Sequence, residues 1–347
     1  MCYICIINRD VKRLLFMIVL IVLPLMAASG YAQDTGAGHL YAVLVNGGRN
    51  RLTNHERYWN DCAFLYRSLR QTYHVPKRNI TVLMSDGGKS DEDMLRADGR
   101  GFLSSPVDLD GDGQPDVDYP ANRQTLTNVL LGMSRRLGTD DHLFLYVIDH
   151  GGTDNEDSED SFLWLWDDER LEDYTLAALL NMFRVGTINI LMGQCYSGGF
   201  VTDLMREGRV IATACSGNER SWVCPDRTYD EFVYHWTCAV NGADEDGNPV
   251  DADTNGDGEV AMLEAFQYAQ SHDRVNETPQ YASWPEQLGW QWTFSHALFG
   301  TMGVREVKMT DQRPSAIWTL SGQRRDKADG HAIYIQRKGG KTRKIVR

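Results

Sequence analysis

Two short motifs in this sequence carry side chains that could together perform nucleophilic chemistry. His150 lies in the run Asp149-His150-Gly151-Gly152, and Cys195 lies in the run Gly193-Gln194-Cys195-Tyr196-Ser197-Gly198-Gly199. A thiol becomes an effective nucleophile when a nearby imidazole lowers its pKa or accepts its proton, and that imidazole can then protonate a leaving amine. Glycines beside both residues let backbone amides approach a substrate closely. We therefore expect the amides of Gly151 and Cys195 to form an oxyanion hole.

Each motif directly follows a predicted buried strand. The apolar runs 142–148 and 187–192 predict strands that end just before the two motifs. Similar runs predict further strands at 41–46, 79–84 and 210–214, and amphipathic spacing predicts helices at 59–69, 125–137, 171–183 and 260–271. Strands that alternate with helices and are apolar on both faces indicate an α/β fold with a mostly parallel central sheet. Ligands of such sheets bind beyond the carboxyl ends of the strands, where both motifs lie.

The two motifs also resemble those of a known group of enzymes. FLYVIDHGG (144–152) and INILMGQCYSGGF (188–200) closely resemble the His-Gly and Cys motifs of caspase-like cysteine peptidases, and most closely those of the legumain family. RYWNDC (57–62) and ATACSGNERSWVCPDRTY (212–229) are similar to further legumain stretches. The resemblance implies a caspase-like three-layer sandwich and a secreted thiol endopeptidase, with Cys195 and His150 as the catalytic dyad.

The legumain resemblance also implies a primary specificity pocket made of an Arg, a Ser and an acid. Arg57 and Ser221 match the first two, and Glu231 is the acid chosen, with its neighbour Asp230 as the other option. A pocket with both signs of charge suits an Asn side chain, which donates to the acid and accepts from the Arg. Asn54 is a candidate third residue that would orient His150.

Two residues depart from the legumain pattern. Tyr196 stands where legumains have an acidic residue, and Gln194 precedes the nucleophile where a small residue is usual. Two alternatives therefore stay open. One is a gingipain- or clostripain-like peptidase that cuts after Arg or Lys, which an acidic protein would favour electrostatically. The other is an inactive scaffold that serves as a calcium-dependent surface binding module.

Two acidic loops resemble calcium sites, for which we predict structural calcium and no organic cofactor. The loop 251–264 satisfies the EF-hand pattern, and it runs into a predicted helix as such a loop should. The loop 108–119 has the early ligands and the glycine, but a tyrosine at the twelfth position. The predicted ligands are Asp253, Asn255, Asp257, Glu259 and Glu264 in one loop, and Asp108, Asp110 and Asp112 in the other.

The composition fits a globular protein and limits its partners. The 347 residues include 48 Asp and Glu against 35 Lys and Arg, which gives a formal net charge of -13. That excess of acid argues against a nucleic-acid binder, whose affinity comes from neutralising phosphates. We expect a peptide or protein substrate instead. The acidic run 154–160 is interpreted as a loop at the rim of the site, with substrate steering or self-cleavage as alternatives.

The two ends of the chain carry features of export. Basic residues, the apolar run 14–26 and small residues before Gln33 predict a signal peptide over 1–32, and no later segment is apolar enough to span a membrane. We expect a peptidase domain at 33–304. The basic tail 305–347 has β-like runs and resembles the sorting signals of the bacterial type IX secretion system, so we expect a secreted or surface-attached protein.

Five cysteines remain in the predicted mature chain, and they are Cys62, Cys195, Cys215, Cys224 and Cys238. An odd number in an exported protein implies one free thiol, with the other four available for pairing in any of three ways.

Overall fold

We analysed a computed structural model of the chain. It describes residues 39–154 and 160–299, together with the backbone of four strands between 316 and 346. The predicted signal peptide and residues 155–159 of the acidic run lie outside the described residues. The chain divides into two compact units, Met1–Met302 and Gly303–Arg347.

The first unit alternates strands with helices. Its strands are β1 (Leu40–Asn46), β2 (Ile80–Met84), β3 (Met94–Leu95), β4 (Phe102–Leu103), β5 (His142–Val147), β6 (Gly151–Thr153), β7 (Ser161–Leu165), β8 (Glu169–Glu172), β9 (Thr187–Met192), β10 (Arg209–Thr213) and β11 (Gln280–Trp284). Its α-helices are α1 (Glu56–Arg67), α2 (Arg123–Arg136), α3 (Asp173–Leu180), α4 (Phe200–Leu204), α5 (Glu231–Asn241), α6 (Met262–His272), α7 (Leu288–Gln291) and α8 (Phe294–Phe299). None of the helices between residues 39 and 299 has the length and apolarity to cross a bilayer.

Six strands form the central sheet in the order β11-β10-β9-β5-β1-β2. Five of them run parallel, and β11 pairs antiparallel with β10 at one edge. The prediction of an α/β fold with a mostly parallel sheet is confirmed. The edge strand β11 was not predicted, because its residues QYASW are all partly or fully exposed and lack the continuous apolar run of the inner strands.

Apolar cores cover both faces of the sheet, as expected for a three-layer sandwich. On β1, Leu44 belongs to a cluster that includes residues of α1, α5 and α6, among them the buried Trp236. The neighbouring Val43 and Val45 belong to a second cluster that includes residues of α2, α3 and α4. Successive side chains of a strand point to opposite faces, so one strand contributes to both cores. The caspase-like sandwich is confirmed.

The five cysteines of the described chain are all free thiols. The expectation that four of them pair in disulfides is therefore wrong for this structure. Four of the thiols are buried, and only Cys195 is partly exposed. A buried thiol behaves as a small apolar side chain that needs no partner, so packing accounts for these four.

The second unit contains four short strands, at Ala316–Thr319, Arg324–Arg325, Ile333–Lys338 and Lys341–Val346. They form an antiparallel sheet in which the first strand lies between the second and the third, and the fourth pairs with the third. The β-like runs predicted in the tail correspond to these strands.

Candidate active site

The register of two neighbouring strands brings His150 and Cys195 to the same edge of the sheet. Val147, the last residue of β5, pairs with Met192, the last residue of β9. Each reactive residue comes three positions after its strand end, and adjacent strands lie about 4.8 Å apart. Both side chains line one cavity of about 230 Å³. The other lining residues are Arg49, Thr53, Gly151, Trp164, Tyr196 and Arg220.

A backbone carbonyl orients the imidazole of His150. Its Nε2 lies 2.9 Å from the carbonyl oxygen of Thr53. A carbonyl can only accept, so the hydrogen is assigned to Nε2 and the lone pair to Nδ1. Asn54 does not have the predicted role, because its amide donates to Ser85 Oγ at 2.8 Å and to the carbonyl of Asp93 at 2.9 Å. The orienting group is thus the residue before Asn54 in the sequence.

His150 is held in its neutral form. Burial lowers the pKa of His150, the hydrogen bond to Thr53 opposes that shift, and the positive charges of Arg57 and Arg49 lower the pKa further. An imidazole that is neutral, with its Nδ1 lone pair available, can accept a proton from a thiol.

The phenol of Tyr58 connects His150 to the predicted specificity residues. Tyr58 is buried in helix α1, and its hydroxyl lies 3.4 Å from Nδ1 and 3.3 Å from Nε2 of His150. The same hydroxyl accepts a hydrogen bond from Nη2 of Arg57 at 2.9 Å. Sequence reasoning missed this residue, because a tyrosine at helical spacing is expected to be an ordinary core residue.

The thiol of Cys195 contacts Ser221 through two hydrogen bonds. Its sulfur lies 3.8 Å from the carbonyl oxygen of Ser221 and 3.7 Å from the Ser221 hydroxyl, which donates to it. Burial raises the pKa of the Cys195 thiol, and the contacts with Ser221 oppose that shift. Both shifts favour the uncharged forms, a thiol at Cys195 and a neutral imidazole at His150.

Gly151 allows the two motifs to pack against each other. A Cβ atom at this position would overlap the carbonyl oxygen of Cys195 and would lie 2.7 Å from Cγ of Gln194. Only glycine fits such a close approach of two backbones. Gln194, the residue that departs from the small type usual in legumains, fills the space under this glycine and is fully buried.

Arg57 forms a buried ion pair with Asp230. Its Nε lies 3.1 and 3.3 Å from the two carboxylate oxygens. Burial raises the pKa of Asp230, and the positive charge of Arg57 opposes that shift. The carboxyl of Asp61 accepts the Asp230 amide at 3.1 Å, and burial raises the pKa of Asp61 well above its usual range. Arg57 and Asp230 thus connect to His150 through Tyr58, and Ser221 contacts Cys195.

Glu231, the acid chosen from the sequence, faces away from Arg57. Its carboxylate is fully buried and accepts hydrogen bonds from the amide and Nε of Arg274 at 3.0 and 3.1 Å. This corrects the prediction, since Asp230 is the acid beside Arg57. Asp230 immediately precedes helix α5 and Glu231 is its first residue, so their side chains point in different directions.

Carboxylates converge in the 108–119 loop. Oxygens of Asp108, Asp110 and Asp116 lie within 4.8 Å of one another, and they form the one such acidic group within the described ranges. Asp116 is buried and accepts the Leu109 amide at 2.9 Å. The predicted ligand Asp112 is not in the group, and its carboxylate accepts the amide of Gln114.

The 251–264 loop has the complete sequence motif, but its carboxylates bind backbone amides. Asp253 accepts the amides of Gly256 and Gly258 at 2.7 and 2.8 Å. The buried Glu264, predicted to close the site, accepts the amides of Asn255 and Ala261 at 3.1 and 3.0 Å. The Asp257 carboxylate accepts the amide of Glu259. The Glu259 carboxylate accepts the hydroxyl of Thr293.

Comparison with known proteins agrees with the motifs. The model of the peptidase C13 family matches residues 40–272. A solved protein from Geobacter sulfurreducens shares 13% identity with this chain, covers 70% of it and 92% of its own length, and gives a TM-score of 0.41. No curated protein matches. The family match spans the whole sheet except its antiparallel edge strand, together with both reactive motifs, and this chain therefore belongs to the peptidase C13 family of cysteine peptidases.

Proposed function

We propose that this protein is an endopeptidase in which Cys195 is the nucleophile and His150 the general base. The observation that carries the proposal is the matched register of β5 and β9, which brings both side chains into one cavity. The neutral His150 with its lone pair on Nδ1 supports the assignment of the base.

The reaction follows from these assignments. Nδ1 of His150 takes the proton from the Cys195 thiol as the sulfur bonds to the scissile carbonyl carbon. The carbonyl oxygen becomes an oxyanion, which the amides of Gly151 and Cys195 stabilise. When the C–N bond breaks, the imidazolium returns the proton to the leaving amine. Water activated by the same imidazole then hydrolyses the thioester and restores the thiol.

Replacement of Cys195 by alanine tests this function. The variant should lose hydrolysis of peptides by about 10⁴-fold or more, because the nucleophile is gone. Its unfolding transition should stay close to that of the wild type, since the side chain is small and partly exposed. A peptide-based electrophile should label the wild-type thiol and leave the variant unlabelled. Retained turnover in the variant would refute the proposal.

Cleavage after Asn is the specificity that the site supports best. Arg57 and Asp230 offer a donor and an acceptor next to Ser221, which suits a carboxamide that needs both. The alternative of cleavage after Arg or Lys is less well supported, because the Asp230 carboxylate of the proposed pocket is already paired with Arg57. The intact Cys and His argue against an inactive binding module. A peptide library scored by the residue before the cut distinguishes cleavage after Asn, cleavage after Arg or Lys, and the absence of cleavage expected of a binding module.

We also propose that calcium stabilises the two acidic loops. The support is the convergence of Asp108, Asp110 and Asp116, together with the EF-hand pattern of Asp253 to Glu264. Bound calcium would stabilise the folded state by linkage, so addition of millimolar calcium should raise the melting temperature by a few degrees, about 1–3 kcal/mol. Asp110→Asn should reduce that rise. An identical transition with calcium and with a chelator would contradict the proposal.

Export is proposed on the sequence of the two ends. The segment 1–32 has the order of a secretory signal, and the tail 305–347 is similar to type IX sorting signals. Sequencing of the amino terminus of the protein from its native host checks this, with a start near Gln33 expected.

A further inference from the structure

Two arginines line the cavity that contains the dyad. Arg49 and Arg220 are the charged side chains among its described lining residues, and none of those residues is a carboxylate. The whole chain carries a net charge of -13. In a protein with an excess of acidic residues, a cavity lined at random would contain more carboxylates than arginines. The positive lining of this cavity favours a ligand of negative charge.

Arg220 is exposed, but the backbone on either side of it is fixed. The carbonyl of Glu219 accepts the amide of Tyr196 at 2.9 Å, and the Glu219 carboxylate accepts the amide of Thr278 at 2.9 Å. On the other side, Ser221 contacts the sulfur of the nucleophile. Since both neighbours are held, the backbone of Arg220 is fixed at the rim of the cavity. Such preorganisation lowers the entropy that a ligand has to offset.

Tyr196 keeps the charge of Arg220 uncompensated. The residue has a left-handed backbone with φ of 60°, directly after the nucleophile. Its side chain interacts with the guanidinium and raises the pKa of Arg220. Tyr196 stands where the legumain pattern has an acidic residue. An acid there would neutralise Arg220, whereas a phenol positions it and leaves its positive charge for a substrate.

Arg49 on the facing loop is held from outside the cavity. Its guanidinium carbon lies 4.1 Å from the ring centroid of Trp164, and its Nε donates to Asp168 at 2.7 Å. Asp168 is exposed and does not line the cavity. Within the described chain, Nε is the one atom of this guanidinium with a hydrogen-bond partner. A planar guanidinium fixed at one edge can offer its terminal amino groups to a carboxylate.

We propose that Arg49 and Arg220 form a subsite for an acidic side chain, Asp or Glu, at a substrate position that flanks the scissile bond. The subsite is separate from Arg57, which does not line this cavity and whose Nε is bound to the buried Asp230. The inference rests on the proposed endopeptidase function and names the class of substrate that it prefers, which is a peptide with a carboxylate next to the cleaved residue.

Matched peptides test the proposal. Each peptide carries one Asn and a single Asp, Ala or Lys at one of the three positions on either side of it, and kcat/KM is measured for the wild type and for Arg220→Glu. The wild type should cleave the best Asp peptide on the order of tenfold faster than its Lys counterpart, the size of an exposed charge-assisted contact. Arg220→Glu should remove or reverse that preference, and Arg49→Gln should reduce it.

Arg184→Glu is the matched control. Arg184 is exposed and lies between α3 and β9, at the end of the sheet opposite to the cavity, so the variant makes the same change of net charge far from the substrate. It should keep the wild-type preference. If it loses the preference to the same extent as Arg220→Glu, or if the wild type treats Asp and Lys peptides alike, the subsite is refuted.

Binding separates this inference from the function on which it rests. The same peptides are titrated into Cys195→Ala, which cannot turn them over. Tighter binding of the Asp peptide without any wild-type hydrolysis would support the subsite and refute the peptidase function. Hydrolysis with equal binding and equal rates would support the function and refute the subsite.

Discussion

Two arginines near Cys195 give the site a compensated and an uncompensated side. On the compensated side, Arg57 is partly buried and its Nε lies 3.1 Å from the carboxylate of Asp230. On the uncompensated side, Arg220 is exposed and interacts with the phenol of Tyr196. A compensated pair selects a neutral polar group by the geometry of its donors and acceptors, whereas an uncompensated charge attracts an opposite one. The difference suggests one site with two separate criteria for its substrate.

Asp230→Asn removes the ionic partner of Arg57 and should have the largest effect on stability and activity. The variant leaves the positive charge of Arg57 buried without its partner, which costs about 3–5 kcal/mol of unfolding free energy. It also removes the acceptor for a substrate carboxamide, so kcat/KM for Asn peptides should fall on the order of 10²-fold. Denaturant unfolding and peptide kinetics measure the two effects.

Asp61→Asn is the control for that variant. Burial raises the pKa of Asp61 well above its usual range, and its carboxyl contacts the backbone amide of Asp230. An amide of the same shape can still accept the Asp230 amide, and the cost should stay within about 1 kcal/mol. An equal loss in both variants would show that the ion pair has no special role.

The pH profile sharpens the comparison, because the pKa of His150 depends on Arg57 and Asp230 of the compensated side and on Arg49 of the cavity. Burial is the largest cause that lowers its pKa, and the charges of Arg57 and Arg49 lower it further. The base has to be neutral, so activity is lost as pH falls through this pKa. We expect the acid limb of kcat/KM below pH 6.5, the usual pKa of a histidine, with a tenfold loss per pH unit beneath the midpoint. An acid limb above 6.5 would contradict the neutral resting pair.

Salt should weaken the preference set by the exposed Arg220 more than the preference for Asn at the cleaved position. We expect this effect to be smaller than those of Asp230→Asn and of pH. The screening length falls from about 10 Å at 0.1 M salt to about 3 Å at 1 M, and exposed charges are screened most. The advantage of Asp over Lys peptides, set by the exposed Arg220, should drop about fivefold over this range. The preference for Asn at the cleaved position should hold. Equal loss of both preferences would mean that the two sides do not differ.

The sequence predicted the sheet well because its inner strands are buried on both faces. Continuous apolar runs placed β1, β2, β5, β9 and β10 within a residue or two of their observed bounds. The edge strand β11 escaped notice, since its partly exposed residues carry no such run. The short ribbon of β6, β7 and β8 beside the site was likewise not predicted, as its strands of three to five residues give little periodicity.

The sequence could predict which residue types form the site, but it could not predict which groups face one another. His150 and Cys195 could be found from motifs that follow strands. The carbonyl of Thr53 could not be found, because a backbone acceptor has no signature in a sequence. Asp230 and Glu231 are adjacent acids, and only the start of a helix decides which one faces Arg57.

The close approach at Gly151 has a mechanical consequence. The loop that carries the base and the loop that carries the sulfur touch through their main chains, with no room for even a methyl group between them. A shift of one loop towards the other would therefore bring the two main chains into steric conflict. In the proposed reaction, the framework then limits how closely the base and the sulfur can approach, whatever substrate is bound.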